Sequence, residues 1–203
     1  DRYTRELTDK IEQAAAAAIE SREPSKLFWG VGNVGFAKNR RNPGGPVDHD
    51  LPMLVVRNAS DDQIRAVYVS YACHCVTLSF NQINGDWAGY AAEMIERTTP
   101  GATALVSIGC GSDSNPSSGV TGDKVQIAES QGVEIATEVA RLLKTKLKPV
   151  TGEPLATLDA SELTARRTAA VSALAASRLA RDDAHSLTIL GSGHLVPYMA
   201  EAF

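Results

Sequence analysis

Residues able to do chemistry gather at two places in the chain. The first is YACHCVTLSFNQINGDWAGYAAEMIE, residues 71–96, where His74 closes an apolar run between Cys73 and Cys75 and Gly85-Asp86-Trp87 opens a helical pattern. The second is CGSDSNPSSG, residues 110–119, which places Ser112, Asp113, Ser114 and Asn115 directly after the apolar run ATALVSIG. Polar, glycine-containing loops at strand ends are where open α/β sheets hold their ligands. A neutral imidazole is the commonest protein ligand of catalytic zinc, which takes three such ligands and leaves one position for water. A hydroxyl in the second loop could act as a nucleophile if a base or metal lowered its pKa. The backbone N–H groups of that loop could also stabilise an oxyanion.

Each of these residues also has an ordinary structural reading. A single histidine on a strand is commonly a satisfied core residue. Asp86 before a helical pattern reads as an N-cap, typically worth about 1 kcal/mol. Ser, Asp and Asn in a connection satisfy their own backbone. The Cys73-His74-Cys75 tripeptide is not a chelating unit on a strand, because side chains alternate and His74 would face away from both sulfurs. The second loop is not G-x-S-x-G, which argues against an ordinary α/β-hydrolase nucleophile elbow. A third motif, Gly30-Val31-Gly32-Asn33-Val34-Gly35, matches G-x-G-x-x-G. A dinucleotide site needs that turn to open a helix. The sequel FAKNRRNPGGP cannot be one, so the stretch reads as a strand with close backbone approach, and neither NAD nor a nucleotide-dependent oxidoreductase is expected from it.

The elements that would position these residues can be read from spacing. Leu7, Ile11, Ala14, Ala15, Ala18 and Ile19 fall at helical intervals, predicting a helix over 5–22 that Pro24 ends. KLFWGVGNVGF and LPMLVVRN read as strands, and IRAVYVSYACHCVTL as a long β run joined to the latter by the ASDD turn. A helix is expected over 87–97. ATALVSIG reads as a strand of the fully buried kind. A long helix follows over about 123–147, its stripe made of Val125, Ala128, Gly132, Ile135, Val139, Leu142 and Leu143. EPLATLDA suggests a further strand and SELTARRTAAVSALAASRLARDD a third long helix, while the tail SLTILGSGHLVPYMAEAF is ambiguous. Helices alternating with buried strands give an α/β class, a mixed β-sheet flanked by α-helices. Residues 1–150 are expected to form the core, with 151–203 as a helical continuation of the same domain.

Composition sets the outer limits. A hydrophobic content of 43% and a charged content of 22% are ordinary for a globular chain. The net charge of -4 argues against nucleic acid, which needs a concentrated basic face; the one basic cluster is Lys38, Arg40 and Arg41. No apolar run approaches the roughly 20 residues of a membrane span. Three cysteines are no disulfide framework. A chain beginning at Asp1 reads as a processed form or a fragment.

Taken in order, Asn39-Arg40-Arg41, Ala72-Cys73-His74, Gly85-Asp86-Trp87-Ala88-Gly89, Gly109-Cys110-Gly111-Ser112-Asp113-Ser114-Asn115-Pro116 and GVEIATEVARLL resemble the N-terminal catalytic region of the neutral/alkaline non-lysosomal ceramidase family over roughly residues 1–150. The resemblance implies a zinc-dependent hydrolase of linear amide bonds, with zinc as cofactor, a small-molecule or lipid-amide substrate and a place in lipid metabolism. It implies His74 as a zinc ligand and Ser114, Asn115 and Asp113 as catalytic-loop residues. It implies Arg40, Asp86 and Ser112 as substrate-binding residues, and a secreted or periplasmic setting, since that family is often exported. Two departures accompany it. The family's His-x-His is not in the chain, and its Glu/Tyr segment would lie beyond Phe203, so the implied zinc site is incomplete; His49, His185 and His194 have no context that favours them. Asn115 stands where the family's serine would be, with Ser114 one position earlier. The alternative reading is a non-catalytic α/β module that keeps the fold without a working site.

Overall fold

The computed structural model describes residues 2–151, 169–170, 172–174 and 196–202. The chain forms two compact units, Asp1–Thr151 and Gly152–Phe203.

The first unit begins with α1 (Arg2–Glu20), followed by β1 (Ser25–Asn33), β2 (Ala37–Asn39), β3 (Asp50–Asn58) and β4 (Ile64–Tyr71). Then come α2 (Asp86–Thr98), β5 (Thr103–Ile108), β6 (Ser114–Pro116), α3 (Val125–Leu143) and β7 (Lys148–Val150). Five strands form one sheet in the order β5-β4-β3-β1-β7, and β2 pairs with β6 in a second sheet of two strands. The β1–β3, β3–β4 and β1–β7 pairs are antiparallel, whereas β4 and β5 are parallel, with Tyr71 opposite Ile108. The parallel pair follows from α2, which supplies the crossover that parallel neighbours require. The fold is therefore α/β with a mixed sheet and flanking helices.

Burial alternates along the strands. Leu51, Met53 and Val55 of β3 and Val67, Val69 and Tyr71 of β4 are fully buried and meet Trp87, Ala91 and Ile95 of α2 and Ile135 and Val139 of α3. Phe36, Tyr71 and Trp87 pack edge to face, with ring centroids 4.9 to 5.8 Å apart. α2 and α3 approach closely because Gly132 has no side chain: a Cβ there would lie 2.6 Å from Tyr90 Cβ and 2.7 Å from Ala91 N. On the other face of the sheet Leu105 stays 60% exposed and Val31 46%.

Several expectations are corrected. β4 ends at Tyr71, well short of the long β run expected over 64–78, so Cys73, His74 and Cys75 lie on an irregular segment rather than a strand. β5 is an edge strand with an exposed outer side, not a fully buried one. The loop expected over 110–119 contains the short strand β6. In the second unit, residues 169, 170 and 172–174 are helical and Val196–Ala202 forms α4. The strand expected at EPLATLDA and most of the third long helix lie outside the described residues.

Candidate functional site

The C-terminal ends of β4 and β5 are laced together. The Tyr71 carbonyl accepts from Cys73 N at 2.8 Å and from Gly109 N at 2.9 Å. Gly111 is required by this approach, since a Cβ there would sit 3.0 Å from Cys73 N and 3.1 Å from the Ala72 carbonyl carbon. His74 N donates to Ser114 O (3.0 Å), Ser114 N to Gly111 O, and Arg40 N to Asp113 O (2.7 Å). Arg41 Nε pairs with Asp113 Oδ1 at 3.0 Å. The two strand-end loops and the 39–41 turn therefore form one body, which gathers His74, Ser112, Asp113, Ser114 and the backbone of Arg40.

The groups in this body are largely engaged with one another. His74 Nε2 lies 3.1 Å from the Ser112 carbonyl, which can only accept, so this nitrogen carries the proton and is not offered to a metal. The Trp87 indole donates to His74 O at 3.0 Å. Asp86 departs from its expected role. Gly85 holds the N-cap position, and Asp86 is the first helical residue, with φ +50°. Its carboxylate accepts from Leu78 N (2.8 Å) and from Trp87 N (2.7 Å), pinning the 72–85 connection to the head of α2. Two atoms are left over: Ser114 Oγ and Asn115 Oδ1 are buried without a hydrogen-bond partner. Burial pushes the Cys73 and Cys75 thiols up to about 12, so neither is a thiolate near neutrality.

Among the described residues no group of three or more His, Cys, Asp or Glu side chains could hold a metal ion. No helix among them is long and apolar enough to cross a membrane.

The first glycine motif is the end of β1 (Gly30–Asn33) and the two residues after it rather than a strand-to-helix turn. A Cβ at Gly30 would lie 2.8 Å from Leu147 Cδ2, and one at Gly32 would lie 2.5 Å from Glu138 Oε1, so both glycines admit α3 and the segment after it. Asn33 N donates to Glu138 Oε1 (2.9 Å) and Gly35 N to Glu134 Oε1 (2.7 Å). N–H groups already given to two carboxylates do not receive a pyrophosphate. Arg141 first, and then the Asn33 N–H, hold the Glu138 carboxyl below its ordinary range, against burial, which acts the other way. Tyr71 completes the segment's anchoring, its hydroxyl donating to Val34 O (2.8 Å) and accepting from Ala37 N (3.1 Å).

Comparison with known proteins divides the chain differently. Residues 127–203 match the ornithine cyclodeaminase/mu-crystallin family. A delta(1)-pyrroline-2-carboxylate reductase of Colwellia psychrerythraea is 46% identical over 55 residues, covering 27% of this chain and 17% of the relative. A reductase of that name from Bacillus cereus is 38% identical over 84 residues, covering 36% and 26%. An uncharacterized protein of Schizosaccharomyces pombe is 54% identical over 52 residues, covering 26% and 16%. The chain thus spans between a sixth and about a quarter of the relatives it matches. A solved ceramidase, complexed with C2, superposes with a TM-score of 0.56 at 18% identity, over 64% of this chain and 24% of that one. At that identity the likeness is one of fold alone.

These findings overturn the ceramidase reading. The matched family is ornithine cyclodeaminase/mu-crystallin and the named relatives are reductases, so the assignment to the ceramidase family, the amide-hydrolase and lipid-metabolism function and the zinc cofactor are withdrawn. The alternative of a non-catalytic module, weighed beside that function, gains nothing from them either. The physical reason the reading misled is that strand-end loops of an α/β sheet look like a site whatever they bind. The tail holds a second glycine pattern. Leu187-Thr188-Ile189-Leu190 is a short apolar run, Gly191-Ser192-Gly193 follows it, and α4 begins at Val196. An apolar run, Gly-x-Gly and then a helix is the order that the first glycine motif lacks. The signal was weakened by Val196, which stands where a third Gly or Ala is usual.

Proposed function

We propose that residues 127–203 contribute to a nicotinamide-dependent reductase acting on a small cyclic imino acid, and that this chain's own part is to hold the dinucleotide. What carries the reading is the match of this stretch to the ornithine cyclodeaminase/mu-crystallin family, alongside relatives named as pyrroline-2-carboxylate reductases. The residue types of the tail suit the group. Gly191 would allow the tight turn after the apolar run, and Gly193 would let the backbone approach the pyrophosphate. When bound, the nicotinamide supplies a hydride to the imine carbon while the nitrogen takes up a proton. Val196 in place of a small third residue asks for a wider spacing between the helix and the run that precedes it.

The test is titration of the chain with NADH and with NADPH, followed by calorimetry or by energy transfer from its two tryptophans. Saturable binding of one of them, abolished in Gly193→Val, is the expected result. No binding of either nucleotide, or equal binding by the variant, would overturn the reading. Turnover of a cyclic imino acid carboxylate by the protein then tests the substrate class separately.

A further inference from the structure

Of the asparagines in the chain, only Asn84 is followed by glycine. Such a pair can react with itself. The glycine's backbone nitrogen gives its proton to solvent base and attacks the asparagine's side-chain carbonyl carbon. The amide nitrogen takes up a proton and leaves as ammonia, closing a succinimide. Water then opens that ring, either to aspartate or to isoaspartate, in which the main chain runs through the former side chain. We propose that Asn84-Gly85 is a site of spontaneous deamidation, and that the fold promotes the reaction there.

Each partner in the reaction is placed for it. Gln82, Ile83, Asn84 and Gly85 are all exposed, so base and water reach the pair. The nucleophile is free, since the Gly85 N–H donates to no group among the described residues. The electrophile is polarised: Asn84 Oδ1 accepts from Asp86 N at 3.0 Å. Asp86 opens α2, where the first N–H groups lack helical partners and the helix dipole is positive. Attack by Gly85 puts negative charge on Asn84 Oδ1, so the Asp86 N–H that holds this oxygen stabilises the charge as it develops. The leaving nitrogen, Asn84 Nδ2, gives only a 3.2 Å bond to Gln82 O. The fold also demands the residue that makes Asn84 reactive. A Cβ at position 85 would lie 2.7 Å from Gly89 Cα and 3.2 Å from Gly89 N, so the first turn of α2 admits glycine there. Either product adds a negative charge to a chain of net charge -4. Isoaspartate also lengthens the main chain by a methylene group just before Asp86, whose carboxylate ties Leu78 N to the head of the helix.

The test incubates the full native chain and a synthetic peptide of residues 79–90 side by side in mildly alkaline buffer for several days. Both are then read by mass spectrometry, the chain after digestion, with fragment ions that separate Asn84 from Asn81. Asn84 should gain the mass difference between an amide and an acid, and isoaspartate, detected by labelling with an isoaspartyl methyltransferase, should be the main product. The native chain should convert about three- to tenfold faster than the peptide, in which nothing fixes the Asp86 N–H on the reacting carbonyl. Asn84→Gln keeps the amide but must close a larger and slower ring, so it should remove the isoaspartate. Absence of isoaspartate at position 84 of the native chain, conversion no faster than in the peptide, or an unchanged isoaspartate content in Asn84→Gln would each overturn the proposal.

Discussion

The chain contains two glycine motifs, and they differ in what surrounds them. Gly30–Gly35 satisfies the longer pattern, yet it begins inside β1, Gly30 and Gly32 admit α3 and the segment after it, and the Asn33 and Gly35 N–H groups belong to Glu138 and Glu134. Gly191-Ser192-Gly193 is the poorer match, with Val196 in third place, but it stands between an apolar run and a helix, inside the stretch that matches the ornithine cyclodeaminase/mu-crystallin family. A glycine pattern reports only that the backbone must come close to something. In the first motif that something is the protein's own helix, and in the second we assign it to a dinucleotide.

Substitutions can separate the two motifs, and the effect on nucleotide binding belongs to the second. Gly193→Val is expected to weaken nicotinamide nucleotide binding by at least tenfold, about 1.4 kcal/mol, while leaving the unfolding of the first unit unchanged in chemical denaturation. Next come changes that attack the packing of the first unit. Gly132→Val would drive side-chain atoms into the α2 backbone, and a loss of about 3 kcal/mol is expected from overpacking, read from the denaturation midpoint with no change in nucleotide affinity. Tyr71→Phe strips the Val34 carbonyl and the Ala37 N–H of their shared partner and should cost about 1–3 kcal/mol.

The carboxylate clamp on the first motif gives a pH signature. Because the folded protein holds Glu138 below its ordinary pKa of 4.5, its contribution is fully present above that value and is lost as pH falls through the depressed one. Glu138→Gln should therefore flatten the stability profile below about pH 4.5 and lower the plateau above it. The smallest effect is Arg41→Ala: its ion pair with Asp113 is exposed on both sides, and a change of less than about 1 kcal/mol is expected.

Much of the first unit was legible in the sequence. The stripe Ala128, Gly132, Ile135, Val139 and Leu142 is the buried side of α3, as its spacing required. The alternation in LPMLVVRN is the alternation of β3. What was not legible depends on long-range pairing. IRAVYVSYACHCVTL has the composition of one long strand, but its pairing with β5 ends at Tyr71–Ile108, and the chain beyond turns to meet Ser114. Ser114 and Asn115 looked like an open loop because nothing local announces their pairing with Lys38 and Asn39, far back in the chain. Asp86 read as a cap because its neighbours suggest one, whereas its carboxylate is spent partly on Leu78, eight residues back. The candidate site was legible as a place rather than as a chemistry. His74, Ser112, Asp113 and Ser114 do come together, yet the bonds they make run to one another and to Arg40, Arg41, Gly111 and Trp87, inside the protein.

The central claim is that the dinucleotide belongs to Gly191–Gly193 and not to Gly30–Gly35. The most direct measurement is parallel titration of NADH and NADPH into the unaltered chain, Gly193→Val and Gly32→Ala, with each variant's folding checked by circular dichroism. Binding retained in Gly32→Ala and lost in Gly193→Val is the predicted result. Binding that survives in Gly193→Val and disappears in Gly32→Ala, or none in the unaltered chain, would contradict it.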